Sequence, residues 1–455
     1  HATIHPGIVN SWQSSRHALM TPQAALAVNE LARKVSNPNA GANMPNVAVG
    51  CAECHTLRPQ AHADTFEHNG YDIHVVVSPD DCKACHLQEV DQFAGNLMAK
   101  AFANLDPNSL YQVLVESIIG HPQLKPHTIE FQKSDDATRA EACYYCHGTK
   151  LTVTGTQVRE TEIAGELEFP VIAGWPNQGV GRINLDGSMG SCSACHTRHR
   201  FSVEQARKPS ACYKCHLGPD HPQKEVYEES KHGILYDAFS DELNMDSDEW
   251  VAGVDYYDAP TCSTCHISAT PNQEVTHDVG TRLSWNLRAP VSKRTENWEQ
   301  KLTDMKDVCE ACHNDPFVDG FYQQLDGFVG LYNDKFAIPA KEIRDLLMEE
   351  GVISKQNFDD KIDWLYWELW HHEGRRARHG AAMSGPDYAW WHGIYDVAKN
   401  FYTEFLPHAE EACEKAGKPE VYEHIIEKYI DGRPEHEWFT KGFDPERVEA
   451  IKQYY

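Results

Sequence analysis

The pattern Cys-x-x-Cys-His occurs seven times in this chain, at Cys51–His55, Cys82–His86, Cys143–His147, Cys192–His196, Cys212–His216, Cys262–His266 and Cys309–His313. Two thiols three residues apart, followed at once by an imidazole, form the attachment site of a c-type haem. The thiols bond the porphyrin vinyl groups and the histidine binds iron on one face. With 15 Cys and 26 His in 455 residues, chance gives on the order of 0.03 copies, so seven cannot be accidental. Only Cys413 is left outside the motifs. Zinc sites would not need the terminal His every time, and a disulfide framework would not hold every pair at one spacing. The pattern therefore specifies a multihaem cytochrome c, with haem c as cofactor and no role for zinc or flavin.

This constrains the fold. Apolar residues make up 41% of the chain and the mean hydropathy is −0.57, modest for its length. Porphyrins make up the deficit, because each brings a flat apolar surface that substitutes for aliphatic core. A mainly α protein is expected, with little regular sheet around the haems. No run of 18 apolar residues is present, so no span is expected to cross a membrane. Haem attachment needs reduced thiols and an apparatus outside the cytoplasm, so a periplasmic or equivalent exported location is expected. The net charge of −27 argues against nucleic acid and suits a basic redox partner, such as a small cytochrome c, or a quinone oxidoreductase.

Three regions follow from the motif spacing. Residues 1–50 contain no complete motif, 51–330 form the multihaem core, and 331–455 read as a helical domain. In the last region Ile362, Leu365 and Leu369 share a helix face, and Trp391, Ile394, Ala398, Phe401 and Phe405 follow 3-4-3-4 spacing. Pro386 suits a first helical turn. The Gly- and Arg-rich segment 374–386 predicts a loop joining two antiparallel helices, giving a C-terminal antiparallel helical arm.

Seven histidines are proximal ligands within motifs, which leaves nineteen of the 26. An electron-transfer haem takes a second axial His, whereas a haem that performs chemistry keeps that position open. The best-placed distal candidates are His17, His68, His74, His199, His232 and His277. His199 lies three residues past a proximal ligand and can reach a neighbouring haem.

From Cys192 onward the sequence resembles the octahaem hydroxylamine oxidoreductase family. The resemblance is strongest in CSACHTRHRFSVEQARKPSACYKCHLGPDH, Cys192–His221, and continues through SKHG at 230–233, CSTCH at 262–266 and the Thr-His at 276–277. It extends more weakly to CAECH and CKACH upstream and to the helical arm. That family carries eight haems. Its first motif is followed by a Trp and a Ser-x-His ligand, as His1 is here by Trp12 and His17, so the resemblance makes His1 the proximal ligand of an eighth haem.

The resemblance also assigns roles. The reaction haem is the one before Cys-His-Thr-Arg-His, which here is Cys143, Cys146 and His147. The remaining haems, on Cys51, Cys54, Cys82, Cys85, Cys192, Cys195, Cys212, Cys215, Cys262, Cys265, Cys309 and Cys312, are expected to be bis-His wiring, with His55, His86, His196, His216, His266 and His313 as proximal ligands. Asp220 and His221 fall on the family's acid–histidine pair above the reaction haem, where a near-neutral imidazole beside a carboxylate relays protons. Tyr388 aligns with a tyrosine that, in the oxidising members, bonds the porphyrin of a neighbouring subunit, which implies a homotrimer. The implied activity is multi-electron interconversion of hydroxylamine and NO or nitrite, with Tyr388 favouring oxidation. The CYYCHG motif and the long cysteine-free stretch after it resemble nitrite- or hydroxylamine-reducing relatives. A purely electron-carrying cytochrome is the other class, in which no haem has an open position.

Overall fold

The computed structural model of the chain describes residues 1–455 apart from 43, 127, 162, 164, 443 and 455, and describes 128 and 129 by backbone alone. Among those residues the fold is mainly α, with four two-stranded antiparallel hairpins and no closed sheet. The chain divides into two compact units. One comprises 1–215, 235–283 and 299–313; the other comprises 216–234, 284–298 and 314–455. No described helix is long and apolar enough to cross a membrane.

The first unit is made of short helices and loops. Its described aliphatic and aromatic core is small, centred on Leu243, Met245, Trp250, Ala252, Tyr256 and Ala259. Each haem motif is a single helical turn. The His N–H donates to the carbonyl of the first Cys at 2.9 Å for His55, His86 and His313 and at 3.0 Å for His196. Positions i, i+3 and i+4 share one face of such a turn, so both sulfurs and the imidazole emerge together.

Helix α1 (Ser109–Ile119) precedes helix α2 (Cys143–His147), which is the third motif. The cysteine-free stretch that follows is an antiparallel hairpin, β1 (Thr152–Thr161) and β2 (Gly165–Ala173), with a register irregularity between Val153 and Gly155. The returning segment packs backbone to backbone on the motif. Val180 N–H donates to Cys146 O at 2.9 Å and Asn177 Nδ2 to Tyr144 O at 3.1 Å. Two glycines allow this approach. A Cβ on Gly148, whose φ is +92°, would lie 2.3 Å from Arg182 N, and one on Gly179 would lie 2.3 Å from Gly148 N. No side chain fits at either place.

The second unit contains a short helix α3 (Gln223–Glu229) and four long ones: α4 (315–349), α5 (361–382), α6 (386–415) and α7 (419–431). The start of α4 packs on the end of α5 and its end on the start of α5, so the two run antiparallel; α5 and α6 are related in the same way. Ile343, Leu347, Ile362, Leu369, Phe401, Phe405, Leu406 and Ile425 are fully buried in one core. Each such side chain contributes about 1.5–3 kcal/mol of burial.

The apolar stripe of α5 lies as expected, with Ile362, Leu365 and Leu369 all buried, and Pro386 sits in the first turn of α6. Two expectations are corrected. Trp391 leaves the seam that buries Phe401 and Phe405 and is 64% exposed. Two π turns, Trp390–Tyr395 and Phe401–Phe405, interrupt α6; each shifts the 3.6-residue register on which the spacing argument relied.

The segment 374–386 is not a loop: residues 374–382 continue α5, and only 383–385 turn. Its glycines serve close helix contact. A Cβ on Gly380 would lie 2.3 Å from Ala389 N, and across the same contact one on Gly393 of α6 would lie 2.6 Å from Ala377 Cα. Its arginines are internal staples. Arg378, fully buried, donates to Gly374 O, Ala289 O, Trp370 O and Ser292 Oγ at 2.7–2.9 Å.

Candidate active site

The two tyrosines of Ala-Cys-Tyr-Tyr-Cys-His differ. Tyr145 is exposed, whereas Tyr144 is 4% exposed and locks α2 in place. Its hydroxyl donates to Asp106 Oδ1 at 2.6 Å and accepts from Gln112 Nε2 at 3.2 Å and Arg139 Nη2 at 3.3 Å. Arg139 also pairs with Glu116 at 2.6 Å. Gln112 and Glu116 both belong to α1, so this network fixes α1 against the motif. On the same helix, the Tyr111 hydroxyl lies 3.1 Å from His147 Nδ1.

Other motif histidines are held by the same ring nitrogen. Nδ1 of His55 bonds His74 O at 2.7 Å, that of His266 bonds Val279 O at 3.3 Å, and that of His216 bonds Gln223 Oε1 at 3.3 Å. Engaging Nδ1 sets the ring orientation and leaves Nε2 for a metal. Opposing imidazoles are also present. A ligating nitrogen sits about 2 Å from a metal and about 1 Å from its own ring centre, so two axial imidazoles place their centroids roughly 6 Å apart. His17 lies 6.2 Å from His86, His199 6.5 Å from His55, His277 6.5 Å from His196 and His68 5.8 Å from His1. Burial lowers His17 and His196 to about 4 and also lowers His86 and His277, so these rings are neutral at pH 7, as a metal ligand must be. The residues fit haem c.

His74 is placed differently. Its ring stacks on His62 at 3.7 Å, and its two nitrogens lie on Val76 O and Leu57 O at 3.2 and 2.9 Å. His62 sits between Asp64 and Asp81, all buried. Burial works against charge on His62, but the two carboxylates outweigh it and raise the ring to about 9. This is a buried ion-pair network behind the Cys51 motif. His232 lies in the second unit, half-buried in the helix Lys231–Phe239.

The thiols order the motifs. Cys82 shares a hydrogen bond with Cys192, Cys146 with Cys215, and Cys212 with Cys262. Cys54 is coupled electrostatically to Cys85, Cys195 to Cys212 and Cys265 to Cys309. These couplings link the motifs in the order 51, 82, 192, 212, 262, 309, and the Cys143 motif to the Cys212 motif.

In the second unit Asp220 Oδ2 lies 2.8 Å from His221 Nδ1. Burial alone would raise the Asp220 carboxyl; the hydrogen bond and charge of His221, with a contribution from His371, outweigh it and hold the group below the usual carboxylate range. Arg375 Nη1 donates to Asp220 O at 3.2 Å. His221 also lies 6.2 Å from His216.

Sequence reasoning missed the titratable groups of α5. Burial lowers His371, His372 and His379, the last to about 3, and raises Glu373 to about 8. His371 and His372 interact electrostatically with Asp220, and His379 with His221. Three histidines at positions 371, 372 and 379 were the available signal, the last hidden because the segment from 374 read as a loop. Tyr388 lies in the first turn of α6. Its N–H donates to Glu229 Oε1 at 3.1 Å and its ring faces His392 at 5.7 Å.

Comparison with known proteins agrees with this geometry. Residues 186–360 match the family model described as seven times multi-haem cytochrome CxxCH, and 81–167 match cytochrome c554 and c-prime. A solved structure of a hypothetical multiheme protein superposes with a TM-score of 0.83 at 29% identity, covering 91% of this chain and 95% of that one. The fold and motifs thus define a multihaem cytochrome c carrying haem c.

A probable nitrite reductase-hydroxylamine oxidoreductase fusion protein of Kuenenia stuttgartiensis is 26% identical over 334 residues, covering 60% of this chain; the chain spans only 38% of that relative's length. The reducing HAO-like protein complex of the same organism has a TM-score of 0.61 at 19% identity, covering 92% of this chain and 84% of that one, a likeness of fold. Within the multihaem cytochromes, the chain is thus similar to hydroxylamine oxidoreductase-like proteins.

Proposed function

We propose that this protein is a multi-electron oxidoreductase that interconverts hydroxylamine and NO or nitrite at the Cys143–Cys146–His147 haem. When bound, that haem supplies an iron with an open position for a small nitrogen compound, and the remaining haems supply a path for electrons. His147 holds the iron from one side. His17, His199, His277 and His68 serve as second ligands to the irons of His86, His55, His196 and His1, and His74 does not. The observation that carries the proposal is the Asp220–His221 pair with three further half-buried histidines, because a reaction that moves several electrons must also move protons. His221 receives and returns protons, Asp220 orients its ring through Nδ1, and Arg375 holds the Asp220 backbone. The adjacency of Cys146 to Cys215 makes the Cys212 haem the first stage of electron transfer. The acidic chain exchanges electrons with a basic partner outside the cytoplasm and works as a homotrimer.

Reduction is the second reading, favoured by the β1–β2 hairpin after CYYCHG, which resembles the reducing relatives. Peptide mass spectrometry separates the two: a haem-linked peptide joining Cys143 to Tyr388 supports oxidation, and an unmodified Tyr388 supports reduction. A spectrum containing only low-spin, six-coordinate haem refutes the enzyme outright. His221→Ala is expected to lower turnover about 100-fold, within the usual range for a lost acid–base group.

A further inference from the structure

We infer that Tyr111 is a positioning residue that tunes the reaction haem through its proximal ligand. Other motif histidines, His55, His266 and His216, give Nδ1 to a carbonyl or amide oxygen. His147 instead meets a phenol, Tyr111 Oη at 3.1 Å. A ring bound to metal through Nε2 carries its proton on Nδ1, so His147 donates and Tyr111 accepts. Tyr111 also interacts with Cys143, so one hydroxyl lies beside both the axial ligand and a cysteine of the same motif.

The consequence is electronic. A carbonyl or amide oxygen is a strong acceptor that draws the Nδ1 proton away and makes the imidazole a richer donor to iron, which favours the ferric state. A phenol is a weaker acceptor. The His147 haem is therefore less strongly pushed than those of His55, His266 and His216, a difference that arises with the axial ligand type unchanged. The position is built. Tyr111 rides on α1, which Gln112 and Glu116 clamp to Tyr144 and Arg139, and its ring lies 6.0 Å from that of His147.

The inference rests on the third motif carrying the reaction haem, and its test is independent of turnover. In the full haem-loaded protein, Tyr111→Phe removes the acceptor. The reduced iron–histidine stretch seen by resonance Raman should fall in frequency, and one haem in a spectroelectrochemical titration should become easier to reduce. The expected shift is about threefold to tenfold in its one-electron equilibrium, roughly 30–60 mV at 59 mV per decade.

Tyr111→Gln supplies an amide oxygen, as Gln223 does for His216, and should move both quantities the opposite way. Unchanged values in both variants, or shifts of one sign in both, overturn the assignment. If the wild-type third haem is six-coordinate, the open-site reading fails, while the opposed shifts of the two variants still decide the role of Tyr111.

Discussion

Glu373 offers a test of the helical unit with a defined sign. It lies on α5, partly exposed, with Asn400 Nδ2 donating to its Oε2 at 3.1 Å. Burial raises its carboxyl from 4.5 to about 8 against the smaller opposing effect of Asn400. Below pH 4.5 the folded and unfolded chains are both protonated there and the group is neutral in its effect. As pH rises, the unfolded chain releases the proton first while the folded chain keeps it, so stability is lost between pH 4.5 and 8 and is then constant.

The shift from 4.5 to about 8 is about 3.5 units, a ceiling of roughly 5 kcal/mol at 1.36 kcal/mol per unit. Screening at a partly exposed site reduces this to about 2 kcal/mol. Glu373→Gln removes the ionisation and keeps an oxygen for Asn400. Urea unfolding followed by helical circular dichroism should find the variant equal to wild type at pH 4.5 and about 2 kcal/mol more stable at pH 8. A gap that does not change with pH, or a variant weaker at pH 8, refutes the reasoning. At neutral pH the same half-buried carboxyl holds a proton on the helix that carries His371 and His372.

Further outcomes can be measured. His17→Ala should convert one haem from low to high spin in electron paramagnetic resonance while the other haems stay unchanged, because its ring lies opposite that of His86 at 6.2 Å. Asp220→Asn should slow turnover while leaving the count of attached haems, read by mass, unaltered. Phe401→Ala, at a fully buried position, should cost about 3–5 kcal/mol in denaturant unfolding of the helical unit.

The haem motifs needed no tertiary information, because attachment chemistry demands two thiols and an imidazole within five consecutive residues, and one helical turn delivers them on a common face. The buried stripe of α5 was legible for a similar reason: its periodicity is local. What the sequence could not determine was any relation carried by contacts distant along the chain. His199 follows one haem's ligand yet faces His55, 144 positions earlier, and His74 stacks on His62 within a buried ion-pair network.

The glycines and arginines of 374–386 have the composition of a loop. Only the crossing of α5 and α6 explains why a helix there must be small on one side and staple backbone carbonyls on another. The seam of α6 failed at Trp391 because π turns change the period on which such reading depends. The sequence by itself determined that this chain carries haem c and where its attachment sites lie. Tertiary structure decided which imidazoles oppose which, which thiols adjoin, and that the proximal histidine of the third motif meets a phenol, since each of these is a meeting of side chains that no spacing along the chain encodes.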